Sequence, residues 1–126
     1  MADAVSDAGI GVMDIDAVNA HAASTRVGDK VEYDALMDLF NGAIPPVSAN
    51  KSMIGHAMGA SSVIESIFAM HGMQNDLLLP TINHTPDPEM VLDCVPEGKR
   101  QLSQEFVLKN AFGFGGCNCC AVFRRV

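Results

Sequence analysis

Residues 105–126 read EFVLKNAFGFGGCNCCAVFRRV, and their reading decides the fold. Two apolar runs, EFVLKNAFGF (105–114) and CNCCAVFRRV (117–126), are joined across the glycines of GFGG (113–116). Strand-length runs around a short glycine-rich link predict two sequential strands. Working back, LLLPTINHTPDPEM (77–90) holds too many turn residues for a regular element and predicts an irregular connection. Before it, Ala60, Val63, Ile64, Ile67, Phe68 and Met70 predict a helix apolar over most of its circumference, ended by Gly72 and Gln74-Asn75-Asp76. AIPPVS (43–48) admits only a short or edge strand, because its two prolines bring no N–H. STRVGDKVEYDALMDLF (24–40) predicts a helix with Val31, Ala35, Leu36 and Leu39 inward, closed by Asn41-Gly42. MDIDAVNAH (13–21) predicts a short buried strand that carries His21 at its C-terminal end, and MADAVSDAGI (1–10) predicts the end of a helix. The order β-α-β-α-β-β implies an α/β unit over 1–126, a mixed sheet with helices packed on it.

Composition narrows the function classes. The chain has 126 residues, a formal net charge of -7 and a pI near 4.8, which argues against nucleic acid or an anionic membrane as partner. No apolar run reaches the roughly 20 residues that span a bilayer. A charged fraction of 18% beside 48% hydrophobic residues suits a mostly buried chain, or part of something larger with a broad apolar interface. Three of the four cysteines crowd into CNCC (117–120), a poor disulfide framework and without the paired spacing of a zinc site. The expectation is no metal, buried inert thiols, and a reducing compartment, cytoplasm or organelle matrix.

Candidate chemistry gathers in KSMIGHAMGASSVIES (51–66). His56 lies between Gly55 and Gly59 in a loop before the apolar helix, either as a functional group or as part of a capping loop. His21 at a strand C-terminus stands where ligands sit in α/β sheets, or is a structural histidine. Lys51 is a solvated loop lysine or the partner of Glu65. Two imidazoles and an ammonium can polarise a carbonyl and stabilise an enolate. GFGG permits close backbone approach on both sides of Phe114, for an oxyanion donor or a movable gate, or is a plain hairpin turn. Cys94 has no visible neighbour to lower its pKa, so the chain offers no nucleophile.

Taken in order, VNAHAASTRVGD, PVSANKSMIGHAMGA and KNAFGFGGCN closely resemble the β-ketoacyl-acyl-carrier-protein synthases, condensing enzymes of the thiolase fold. The resemblance runs from about residue 4 to the C-terminus. It implies a thiolase-like C-terminal half in which His21 and His56 bind a malonyl thioester carbonyl, assist decarboxylation and stabilise the enolate. Lys51 matches the lysine that organises the second histidine, and Glu65 its acidic partner. Phe114 matches the gating phenylalanine, whose amide also serves the oxyanion hole. Thr25 matches a threonine that bonds the phosphopantetheine of acyl carrier protein, while Ala23 lacks the other usual hydroxyl. Cys117 and Ser62 replace a usual threonine and glycine.

The resemblance further implies no cofactor on this chain itself, acyl and malonyl thioesters as substrates, and acyl carrier protein as partner. The nucleophilic cysteine belongs to an N-terminal half absent from the sequence, so the chain reads as a fragment, a separately encoded half or an incomplete product. That half, or a second copy, is expected to cover its apolar face. Two other readings are a binding or dimerisation module without turnover, and a malonyl-thioester decarboxylase without condensation.

Overall fold

The computed structural model describes residues 1–95 and 98–126. Helix α1 (Ala2–Asp7) is followed by β1 (Ala17–Asn19), α2 (Arg26–Leu39), β2 (Val47–Ser48), the one-turn α3 (Lys51–Ile54) and α4 (Ser61–Gln74). Then come β3 (Leu77–Leu78), β4 (Arg100–Gln101), β5 (Phe106–Gly113) and β6 (Cys117–Arg124). The order expected from the sequence is there, including the helix α1 expected within residues 1–10, with α3 and the small antiparallel β3–β4 pair added to it.

The main sheet runs β2-β1-β5-β6, with β1 parallel to both neighbours and β5 antiparallel to β6. Side chains alternate across it. Val18 and Leu108, paired in register, pack with Val5, Ile15, Leu36, Phe40 and Val47 on the side of α1 and α2. The preceding pair, Ala17 and Val107, packs with Ala69 and Met73 of α4 and with Leu78 and Val95. The result is a sheet between two helical layers. Burying a side chain such as Leu36 or Leu108 fully contributes about 1.5–3 kcal/mol.

Two polar devices fix the strands. Asp16 Oδ2 accepts the N–H groups of Glu105 and Phe106 at 2.6 and 2.9 Å, clamping the start of β5 beside β1. At the opposite edge Pro45 and Pro46 precede the two-residue β2, as their missing donors require. The Val47 N–H donates to the Asp93 carbonyl at 2.8 Å, so the connection covers this edge.

Four local expectations are corrected. Val31 of α2 is 61% exposed and Glu32, one position on, is the buried residue. Residues 51–54 form a helical turn rather than a loop. Gly72 lies inside α4, which runs on to Gln74. A Cβ at that glycine would stand 2.6 Å from the Leu77 carbonyl oxygen, so its bare backbone lets the chain fold back into β3. Cys117 and Cys119 are exposed and Cys120 half-buried, not inert core thiols. They open β6, the edge strand of the sheet, whose first residues are exposed. The outer face of α4 is apolar and open as well, through Val63, Ile67 and Met70.

Candidate active site

His21 follows β1 by two residues. Its own N–H and that of Ala22 donate to the two oxygens of Glu32 at 2.9 and 2.8 Å. This carboxylate holds a turn in which Ala22 and Ser24 take φ of +37° and +62°, conformations a non-glycine residue keeps only when its surroundings impose them. Asn110 of β5 donates to the same carboxylate at 2.9 Å. Alternation along β5 thus turns Asn110 toward α2 and its neighbour Lys109 toward α4.

On the α4 side, Lys109 Nζ donates to Glu65 Oε2 at 2.7 Å, and Lys51 Nζ lies 2.5 Å from Glu65 Oε1. All three side chains are buried. The Glu65 Oε1 contact is an ion contact without good hydrogen-bond alignment. Lys51 spends its bond on the His21 carbonyl at 2.6 Å, and its Nζ stands 3.5 Å from His21 Nδ1. The expected service of Lys51 to His56 is therefore corrected: its ammonium holds His21. Glu65 is its partner, as expected.

The two imidazoles meet. Their centroids are 5.6 Å apart with the planes at 81°. Phe112 N–H donates to His21 Nδ1 at 3.3 Å. Met58 N–H donates to His56 Nδ1 at 3.0 Å, with Ser61 Oγ 3.1 Å away. A backbone N–H can only donate, so both Nδ1 atoms are acceptors, and the proton of each neutral ring sits on Nε2. The pair thus offers two Nε2–H donors. Burial, and then the Lys51 ammonium, hold His21 below the ordinary histidine pKa, against the opposing pull of Glu32. Burial also raises Asp29.

Of the other expected site residues, Thr25 caps α2, its Oγ1 accepting from Gly28 N–H at 3.2 Å, which leaves the hydroxyl proton free to donate. Phe114 is in the turn between β5 and β6, almost wholly exposed and outside the strand assigned to it. A cavity of about 630 Å³ opens beside His56, with Ala22, Ala23 and Lys51 also in its wall, while His21 is not among its lining residues. Cys94 also lines it, but burial pushes its thiol pKa up, away from a nucleophile's range. Glu32, Lys109, Ser61 and the Phe112 amide escaped the reading of the sequence. The one available signal was a lysine placed mid-strand among apolar residues.

Comparison with known proteins gives a consistent result. Residues 1–85 match the family described as Beta-ketoacyl synthase, C-terminal domain. The chain is 41% identical over 128 aligned positions to 3-oxoacyl-[acyl-carrier-protein] synthase 2 of Staphylococcus aureus, covering 99% of this chain and 31% of that protein. A β-ketoacyl synthase from Burkholderia phymatum superposes with a TM-score of 0.91 at 37% identity, over 97% of this chain and 30% of that one. A type II polyketide ketosynthase, solved in complex with its acyl-carrier protein and bound to a hexaketide, superposes at 0.94 with 32% identity, over 99% and 31%. The chain thus spans about a third of the length of such relatives.

Proposed function

This chain belongs to the β-ketoacyl synthase family, and on that premise we propose that residues 1–126 are one domain supplying the enolate-binding wall of a 3-oxoacyl-[acyl-carrier-protein] synthase. The observation that carries the reading is the pair of Nε2–H donors on imidazoles 5.6 Å apart, with both Nδ1 atoms occupied. Two such donors converge on the carbonyl oxygen of a malonyl thioester. As the bond to the departing carbon dioxide breaks, its electron pair moves toward that oxygen, and both hydrogen bonds strengthen with the charge. The resulting enolate carbon attacks the carbonyl of an acyl thioester carried on a cysteine outside this chain; the new carbon–carbon bond forms as the carbon–sulfur bond breaks and the cysteine leaves as its thiolate. His21, kept neutral by burial and by Lys51, remains a donor throughout.

Lys51 and Glu65 act through His21 rather than on substrate. The Phe114 amide serves the oxyanion of acyl transfer, and its ring gates the site from an exposed turn. Thr25 donates its free proton to the phosphopantetheine arm of an acyl carrier protein, beside the cavity wall of Ala22 and Ala23. Substrates are acyl and malonyl thioesters, of fatty acid or polyketide synthesis. The open apolar face of α4 takes the rest of the enzyme or a second copy. Four unpaired cysteines suit a reducing compartment.

The test uses the enzyme reconstituted from this chain and a complementing N-terminal half, with decarboxylation and acyl-enzyme formation measured separately. H21A and H56A each lose about 100- to 1000-fold in decarboxylation. Acyl transfer falls less, and K51A gives an intermediate loss through a displaced His21. Decarboxylation at the wild-type rate in both histidine variants would sink the reading. Carbon dioxide release without β-ketoacyl product would select a decarboxylase instead.

A further inference from the structure

One buried ammonium behind His21 has no part in the chemistry above. Lys109 lies in the middle of β5 and is 3% exposed. Its Nζ donates to Glu65 Oε2 at 2.7 Å and to the Asn110 carbonyl at 2.6 Å. The other oxygen of that carboxylate lies 2.5 Å from Lys51 Nζ, which bonds the His21 carbonyl. We propose that Lys109 is a positioning residue for His21: by holding Glu65 through its far oxygen it fixes the Lys51 ammonium behind the imidazole. This rests on the reading of His21 as an enolate-binding group.

Two considerations favour an ammonium acting in this way. A carboxylate with one cationic partner can present either oxygen, whereas two cations on separate oxygens fix its plane. The charge balance is also directional. On the α4 face, Lys51 and Lys109 against Glu65 leave one net positive charge behind Nδ1. On the opposite face Glu32 is held by N–H donors of His21, Ala22 and Asn110. His21 is thus faced by Glu32 and Asp29 from α2, Lys51 from α3, His56 after it, Glu65 from α4 and Lys109 from β5. Positive charge at Nδ1 disfavours a second proton there and leaves Nε2–H as the donor.

The experiment titrates the His21 imidazole by NMR in the full 126-residue chain, assigned with H21Q, in wild type, K109R, K109Q and K109M. K109R keeps the charge and is expected to titrate as wild type. K109Q keeps a donor for Glu65 without the charge, and its His21 midpoint is expected to rise; K109M, lacking both, rises at least as far. Wild-type titration in either folded neutral variant overturns the proposal, as does a K109R shift equal to that of K109Q. The wild-type chain gives an independent check that needs no variant. Slow solvent exchange of the Lys109 ammonium protons is expected, and rapid exchange overturns the proposal. None of these readouts needs turnover, so they are distinct from the decarboxylation test of His21 and His56.

Discussion

His21 and His56 touch edge to face, yet they are held in opposite ways. The partners of His21 come from 11, 30 and 91 residues away: Glu32, Lys51 and the Phe112 amide. The partners of His56 come from 2 and 5 residues away, Met58 and Ser61. One imidazole is set by the packed fold, in half-buried surroundings full of charge. The other is set by a local turn at an open surface. A site built this way couples one donor to global stability and leaves the other to a short segment that can adjust when a partner covers it.

Glu65→Ala offers the strongest way to break this contrast. It strands two buried ammonium groups and is expected to cost about 3–5 kcal/mol in urea unfolding. A loss below about 1 kcal/mol would mean that the charges behind His21 are not a packed unit. The next effect lies on the sheet side of α4. Gly72→Ala brings a methyl against the Leu77 carbonyl and should destabilise by about 1–3 kcal/mol; a neutral result would show that the close approach is absent.

On the His56 side, Ser61→Ala removes one local hydrogen bond, worth about 0.5–1.5 kcal/mol. Imidazole spectra should show a change confined to His56, and a disturbed His21 would break the contrast. A smaller effect comes from pH. The pKa of His21 is lowered in the fold, so the unfolded chain takes up the proton more readily and stability rises with pH across that window. The contribution is whole above the ordinary value of 6.5 and is lost as pH falls from there through the folded-state value. His21→Gln is expected to flatten the slope of unfolding free energy against pH, and an unchanged slope would place that slope elsewhere. Smallest of all is Val63→Ser on the open face of α4, within about 0.5 kcal/mol for the isolated chain. A larger loss would mean that this face is already covered, as it would be in a self-associated chain.

The same contrast governs what could be read before the structure. The β5–β6 pair, the apolar α4 and the glycine-flanked His56 are local patterns, and each was legible from its own run of residues. Glu32 and Lys109 were not, because the sequence carries no sign that a charge will meet partners 78 or 44 positions away. Glu32 shows the failure most clearly. Counting apolar periodicity put Val31 inward, whereas the backbone donors of His21 and Ala22 drew the carboxylate in. The Phe112 amide has no side chain to read at all. Lys51 and Glu65 were paired correctly, but the ammonium's choice of His21 over His56 depended on where a main-chain carbonyl came to lie.

The clamp of Asp16 on Glu105 and Phe106 has a consequence for how the chain is made. Strand β1 sits at the centre of the sheet, and its longer neighbour β5 begins almost ninety residues later. A nascent chain leaving the ribosome therefore holds β1 paired with β2 but without its other neighbour until the residues from Phe106 onward have emerged. Helices α2 and α4 can form early from local contacts, but the surface they pack on cannot. High contact order of this kind slows folding and prolongs exposure of apolar surface. The geometry around His21 is thus among the last to be assembled, for its backbone donor at Phe112 leaves the ribosome after every other group that touches it.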